Sequence, residues 1–292
     1  MFEKILSAFA LVMVLHTPAA AKTLNVVATF TVLADVVQNV GGEHVVVTSL
    51  VGPNGDPHEF EPSPNDARSL RTADVVFVSG EGLEGWMDRL ITASGYGGIP
   101  VVASAGIKTR DMDEDGREVI DPHVWNDPSN VLVWVANIER ALKEKDPEDA
   151  AFFTANAESY RKQLKDLDTY AKAIFDNIPQ GRRKVLTSHD AFGYFGRAYG
   201  VTFLSPVGLS TNTEASAAGV AKLIDQIKEE GIKVYFFENS NDPRLIKQIA
   251  NATGAMPGGE LYVEALSAGN GPAPIYAKMF KYNVDQLAGA LK

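Results

Sequence analysis

The chain has 292 residues, 45% of them apolar and 22% charged, which describes a globular protein rather than a disordered one. Its 37 acidic and 27 basic residues leave a net charge of −10, so nucleic acid is disfavoured as a partner because backbone binding needs clustered Lys and Arg. It contains no cysteine, which removes disulfides, thiolate metal ligands, zinc fingers and iron–sulfur clusters and leaves only nitrogen and oxygen to hold any metal.

Residues 1–21 read as a secretory signal peptide. Lys4 marks a short n-region, Ile5 to Leu15 form an apolar run too short to span a bilayer, and Ala19-Ala20-Ala21 supply small residues ahead of Lys22. Losing Glu3 and Lys4 with this segment leaves the charge balance unchanged. The mature chain is expected in the periplasm, and without a cysteine after the signal a lipid anchor is not expected.

From Thr23 short β-rich runs alternate with helical patterns. Strands are expected at 25–30, 44–51 and 74–78, with helices from Val32 to Val40 and from a cap at Asn65 toward Thr72. A loop carrying His123 precedes a helical stretch from Asn130. Asp146-Pro147-Glu148-Asp149 then reads as an N-cap, a first-turn Pro and first-turn acids, opening a helix to about Asn177. Phe153, Ala157, Tyr160, Leu164, Leu167, Ala171 and Ile174 give it one apolar face, and about 30 residues at about 1.5 Å each make a strut of about 45 Å. Beyond Pro179 and Gly181 the rhythm returns, with strands at 184–187, 201–204 and 233–237, helices from near Ala191, Glu214 and Pro243, and a last helix to Leu291. The pattern predicts an N-terminal α/β lobe (22–145), a linking helix (146–178) and a C-terminal α/β lobe (179–292), each lobe built on a largely parallel sheet.

Three of the five histidines, spaced by about 65 residues, carry the chemistry. They sit in Asp56-Pro57-His58-Glu59-Phe60, Asp121-Pro122-His123-Val124-Trp125 and Ser188-His189-Asp190-Ala191-Phe192. In open α/β sheets ligands collect at the carboxyl ends of strands, and loops there can bring all three imidazoles to one cleft between lobes. Pro57 and Pro122 stiffen two of these loops. His44, inside an alternating strand, reads as an ordinary structural residue. Three neutral imidazoles around a divalent ion call for an anionic partner, and either Glu238, after Phe236-Phe237, or Glu264, in the segment Gly259 to Leu266, can supply it.

Across almost the whole mature sequence the chain resembles the zinc- and manganese-binding solute-binding proteins of bacterial ABC importers. The resemblance rests on Val40-Gly41-Gly42-Glu43, Gly55-Asp56-Pro57-His58 followed by Glu61-Pro62-Ser63, Asp121 to Trp125, the long helix, His189-Asp190-Ala191-Phe192-Gly193-Tyr194-Phe195 and the Gly259–Leu266 segment. It implies two pseudo-symmetric α/β lobes joined by one rigid helix, with the metal held in the interlobe cleft and delivered to a membrane permease. A monomer without enzymatic activity is expected, and a periplasmic metallochaperone is a candidate further partner that the sequence does not identify. His58, His123 and His189 match the family's first three ligands by position. The fourth is usually Asp, and Glu264 stands at the matching place.

Manganese members of the family commonly carry Glu at the third position, so His189 favours Zn²⁺ as the cargo, in line with the preference of a harder ion for more oxygen. The stretch from Asp111 to Glu118, where many zinc members have a histidine-rich loop, is short, acidic and read as a solvated loop. The competing readings are capture of manganese or iron by the same kind of importer component, and a secreted zinc hydrolase using Glu59 or Asp190 as general base. No HExxH-type spacing supports the hydrolase, and a fourth protein ligand would close the position that hydrolysis needs open. An adhesin role has no feature in the sequence for or against it.

Overall fold

The computed structural model describes residues 23–114, 116–208 and 216–292. The expected secretory segment lies outside them. The first lobe alternates β1 (Leu24–Ala28), α1 (Thr31–Gly41), β2 (Val45–Ser49), α2 (Pro64–Thr72), β3 (Val75–Val78), α3 (Met87–Ser94) and β4 (Val101–Val102). The strands form one parallel sheet in the order β2-β1-β3-β4, with Leu24 opposite Val45 and Val26 opposite Val75. After a two-stranded hairpin, β5 (Asp111–Glu114) and β6 (Arg117–Ile120), come α4 (Pro128–Lys145) and the long α5 (Ala150–Phe175). The second lobe contains β7 (Lys184–Leu186), α6 (Gly193–Tyr199), β8 (Thr202–Leu204), α7 (Ala217–Glu230), β9 (Val234–Glu238), α8 (Arg244–Thr253), β10 (Met256–Leu261) and α9 (Tyr276–Leu291).

The second sheet runs β10-β9-β7-β8, all parallel. Numbered within its own lobe, that order is fourth, third, first, second. The first sheet has the same topology, so each lobe has its strand reversal between its first and third strands, and the carboxyl ends of those strands are where a ligand crevice opens.

Several boundaries differ from the sequence expectation for definable reasons. Asp146 does not open the long helix: its N–H donates to the carbonyl of Leu142 and it closes α4 instead. Asp149 takes the N-cap position of α5, but its carboxylate pairs with His44 rather than with the helix N-terminus. With 26 residues, α5 is about 39 Å long at about 1.5 Å per residue. Helix α2 is capped by Ser63, not Asn65, through a reciprocal box in which Asp66 returns the bond and Pro64 fills the first helical position. The acidic 111–118 stretch is a hairpin rather than an open loop, although residue 115 lies outside the described residues. The helix expected from Glu214 is seen from Ala217; residues 209–215 also lie outside the description.

The buried face of α5 is Phe153, Ala157, Tyr160, Leu164, Ala171 and Phe175, with Leu167 and Ile174 at its margins. It packs against α4, α1, α6 and α9. The main apolar core therefore does not stop at the lobe boundary: it runs from Val26 and Phe77 in the first sheet through Trp125 and Trp134 to Phe192, Phe195 and Phe280. A smaller core of Leu204, Leu223, Ile227, Ile246 and Ile249 fills the outer part of the second lobe. Polar bonds also tie the lobes near the cleft: Trp125 Nε1 donates to the Val263 carbonyl (2.7 Å), the Leu266 amide to Thr31 Oγ1 (2.9 Å), and the Asn54 amide to the Leu266 carbonyl (3.1 Å). Among the described residues no helix is long and apolar enough to cross a membrane.

Candidate metal centre

His58 lies in the turn-rich loop after β2, His123 in the loop ahead of α4, His189 three residues past β7 and Glu264 three residues past β10. The fold brings all four together: one ligand atom from each lies within 4.8 Å of every other. The Glu264 carboxylate is the hub. Its Oε1 stands 2.7 Å from His58 Nε2 and 3.2 Å from both His123 Nε2 and His189 Nε2. His123, His189 and Glu264 are enclosed; the His58 side chain is 7% exposed. A cavity of about 230 Å³ lined by Asp56, Glu59, His189, Ser240, Asn241 and Asp242 adjoins the cluster, giving it an acidic mouth.

Local structure explains how each imidazole is aimed. In both Asp-Pro-His phrases the aspartate accepts the backbone N–H of the histidine two residues on, Asp56 Oδ1 from His58 at 2.7 Å and Asp121 Oδ1 from His123 at 2.9 Å. Asp121 Oδ1 also takes His123 Nδ1 at 2.8 Å, which turns Nε2 toward the cluster. Arg110 Nη1 holds the other oxygen of Asp121 at 2.5 Å, and the Tyr194 hydroxyl donates to the Asp121 carbonyl.

His189 has no aspartate of its own two residues before it. Glu238, at the end of β9, fills that role: its Oε2 bonds His189 Nδ1, its Oε1 accepts the Ser188 and His189 amides, and Asn241 Nδ2 steadies Oε2 at 2.6 Å. The two carboxylates that the sequence offered take different places. Glu264 meets all three Nε2 atoms, whereas Glu238 sits behind one ring. Asp121 is the residue that sequence reasoning passed over, although its repeated place in Asp-Pro-His was visible; Arg110, Tyr194 and Asn241 carried no such signal.

The electrostatics follow from burying this set. Desolvation alone would push His123 down, but the Asp121 and Glu264 carboxylates outweigh it and hold its pKa up at about 9. His189 is likewise raised well above its ordinary value, burial being overcome by Glu238 and Glu264. Burial would raise Glu264, and the surrounding imidazoles instead hold it well below the usual carboxylate range. Without metal, His123 and His189 are therefore protonated well above the unperturbed imidazole pKa of about 6.5, the value that sequence reasoning alone would take as the lower edge of metal binding. Asp190, a candidate general base by sequence, is held up by burial and by nearby Asp121.

Residues 26–290 match the family described as zinc-uptake complex component A, periplasmic. The chain is 33% identical over 270 residues to the iron-binding protein YfeA of Yersinia pestis, covering 92% of this chain and 86% of that one. It is 34% identical over 280 residues to the manganese-binding lipoprotein MntA of Bacillus subtilis, covering 94% and 92%. Among solved structures, the periplasmic zinc-binding protein TroA of Treponema pallidum superposes with a TM-score of 0.86 at 30% identity, covering 92% of this chain and 99% of that one. The Mn-bound periplasmic metal-binding protein of Candidatus Liberibacter asiaticus gives 0.83 at 28% identity, covering 92% and 100%. These are binding components rather than enzymes, so the hydrolase reading falls. The chain belongs to the zinc-uptake complex component A family, the metal-binding solute-binding proteins of ABC importers that work with a membrane permease and its ATPase.

Proposed function

We propose that this chain captures one Zn²⁺ in the periplasm through His58, His123, His189 and Glu264 and delivers it to its ABC importer. The observation that carries this reading is the donor set: three Nε2 atoms and one carboxylate oxygen, converging within 4.8 Å, with three of the four side chains shut off from solvent. Four nitrogen and oxygen donors in so small a sphere suit a four-coordinate ion without directional preference, and three imidazoles favour zinc over harder cations. The carboxylate brings one negative charge and leaves a net positive charge on a bound site, which the second carboxylates Asp121 and Glu238 offset through the imidazole rings.

Manganese or iron is the second reading. Relatives named for those metals favour it, and so does the oxygen within reach of the cluster: Glu264 Oε2 lies 3.5 Å from Ser240 Oγ and could widen the coordination sphere. Zinc outcompetes manganese at most nitrogen-rich sites in a test tube, so affinity alone does not identify the cargo. The deciding experiment is the metal content of the chain purified from the periplasm of its own host. One equivalent of zinc supports the proposal; manganese or iron in its place supports the alternative.

A further inference from the structure

Helices α2 and α3 lie side by side at the edge of the first lobe, and between them runs a groove of about 780 Å³. Buried Trp86 and Leu90 give it an apolar floor, and Ala67, Ala93, Arg68, Arg71 and Arg89 complete its lining. Three guanidinium groups thus share one recess on a chain whose net charge is −10. Arg71 Nε donates to the Ser94 carbonyl (2.9 Å) and Arg68 to the Asn65 side-chain oxygen. Glu61 is the one acid lining the groove.

The wall of this groove is the back of the His58 loop. Trp86 Nε1 donates to the Pro57 carbonyl at 2.8 Å, and the Trp86 ring meets Phe60 with centroids 4.8 Å apart. Glu61 to Ser63, which lead from that loop into α2, form its lip. His58 differs from the other two imidazoles in being the most exposed of the four donors. Its loop is held by the Asp56 turn and by the Trp86 contact with Pro57.

We propose that the groove docks an acidic segment on the outer face of the importer's membrane subunit, and that docking is passed through Trp86 and Pro57 to His58, which leaves the metal first. The proposal rests on the delivery reading above. Guanidinium forks pair carboxylates two bonds at a time, and an apolar floor beneath them receives the side chains of a peptide, whereas a recess of this kind presents little to a flat lipid surface. A segment seated there presses on Trp86 and on the lip, both joined to the loop on either side of His58.

The test uses the mature, zinc-loaded chain and its importer in proteoliposomes, reading ATPase stimulation and zinc uptake. Arg68→Glu combined with Arg89→Glu leaves the Arg71 bond to Ser94 intact and touches no metal donor. It should raise the half-maximal concentration for stimulation by about tenfold or more, while zinc affinity in solution stays unchanged. Trp86→Phe keeps an aromatic side chain and removes the N–H to Pro57; it should lower zinc uptake at saturation, and unchanged uptake would overturn the transmission to His58. Stimulation that survives the charge reversal overturns the docking proposal and leaves metal delivery standing. Arg-dependent binding to importer-free liposomes, or Arg-dependent self-association in sedimentation, would overturn it in favour of lipid or a second copy. No stimulation by the unaltered chain overturns the delivery reading and this proposal together.

Discussion

Glu238 holds His189 by its Nδ1 so that Nε2 faces Glu264, and the two glutamates thereby take different work from one ring. Removing them should have different signatures. Glu238→Ala should weaken zinc binding by about 10- to 100-fold, through loss of the orientation of His189. Glu264→Ala should leave a three-histidine site that still binds zinc but opens a position to water and releases the ion faster. Equilibrium affinity and off-rate measured in parallel check this; a Glu264→Ala variant with unchanged off-rate, beside a weakened Glu238→Ala, contradicts the assignment.

Metal binding should expel protons. His123 in the metal-free site has its pKa at about 9, above its unfolded value, so it is charged at neutral pH and must lose a proton to coordinate. Affinity therefore rises with pH up to about 9 and falls as pH drops below it, by about tenfold per unit for each proton released. Calorimetry at pH about 7.5 in buffers of different ionisation enthalpy should show one or more protons released per ion. A buffer-independent enthalpy, or an affinity that is flat from about pH 8 to 6, contradicts this electrostatic picture.

Closure of the lobes should be small. The core shared through α5, together with the Trp125–Val263, Leu266–Thr31 and Asn54–Leu266 bonds, joins both lobes at the cleft. Zinc should therefore slow hydrogen exchange mainly in the loops around His58, His123 and Glu264, with little change in scattering dimensions. Uniform protection of both lobes with a marked decrease in radius would show a rigid-body hinge instead.

Asp35 offers a stability test that does not touch the metal donors. Burial lifts its pKa from 3.8 to about 6, while its side chain accepts the Tyr276 amide that starts α9. Because the folded value is the higher one, ionisation costs stability: the penalty is absent below pH 3.8 and complete above about 6. An Asn can still accept from Tyr276, so Asp35→Asn should stabilise the fold at pH 7.5 by up to about 3 kcal/mol. The gain should vanish near pH 4. Denaturant melts at the two pH values decide it, and equal stability at pH 7.5 would contradict the buried charge.

Much of this was legible in the residues. The alternation of strands and helices, the two lobes and the apolar stripe of α5 are periodic signals, and they survive in the structure. The three histidines stood out because each sits in a turn-rich phrase. What stayed hidden depends on contacts distant in sequence. Asp146 looks like the helix cap and Asp149 like a first-turn acid, and only the end of α4 and the tertiary pairing with His44 sort them. Glu238 and Glu264 are each an acid after a strand; no local pattern tells which of two neighbouring strand ends points into the cleft. The Arg110–Asp121–His123 chain likewise joins a hairpin to a loop and left no periodic trace.

The central claim, that these four side chains hold the ion, is tested most directly by anomalous diffraction at the zinc edge from crystals of the chain loaded with one equivalent of zinc. The account predicts a single peak at about 2.0–2.2 Å from Nε2 of His58, His123 and His189 and from a Glu264 carboxylate oxygen. A peak bonded to Glu238, or one lying on the 111–120 hairpin or elsewhere on the surface, would contradict it.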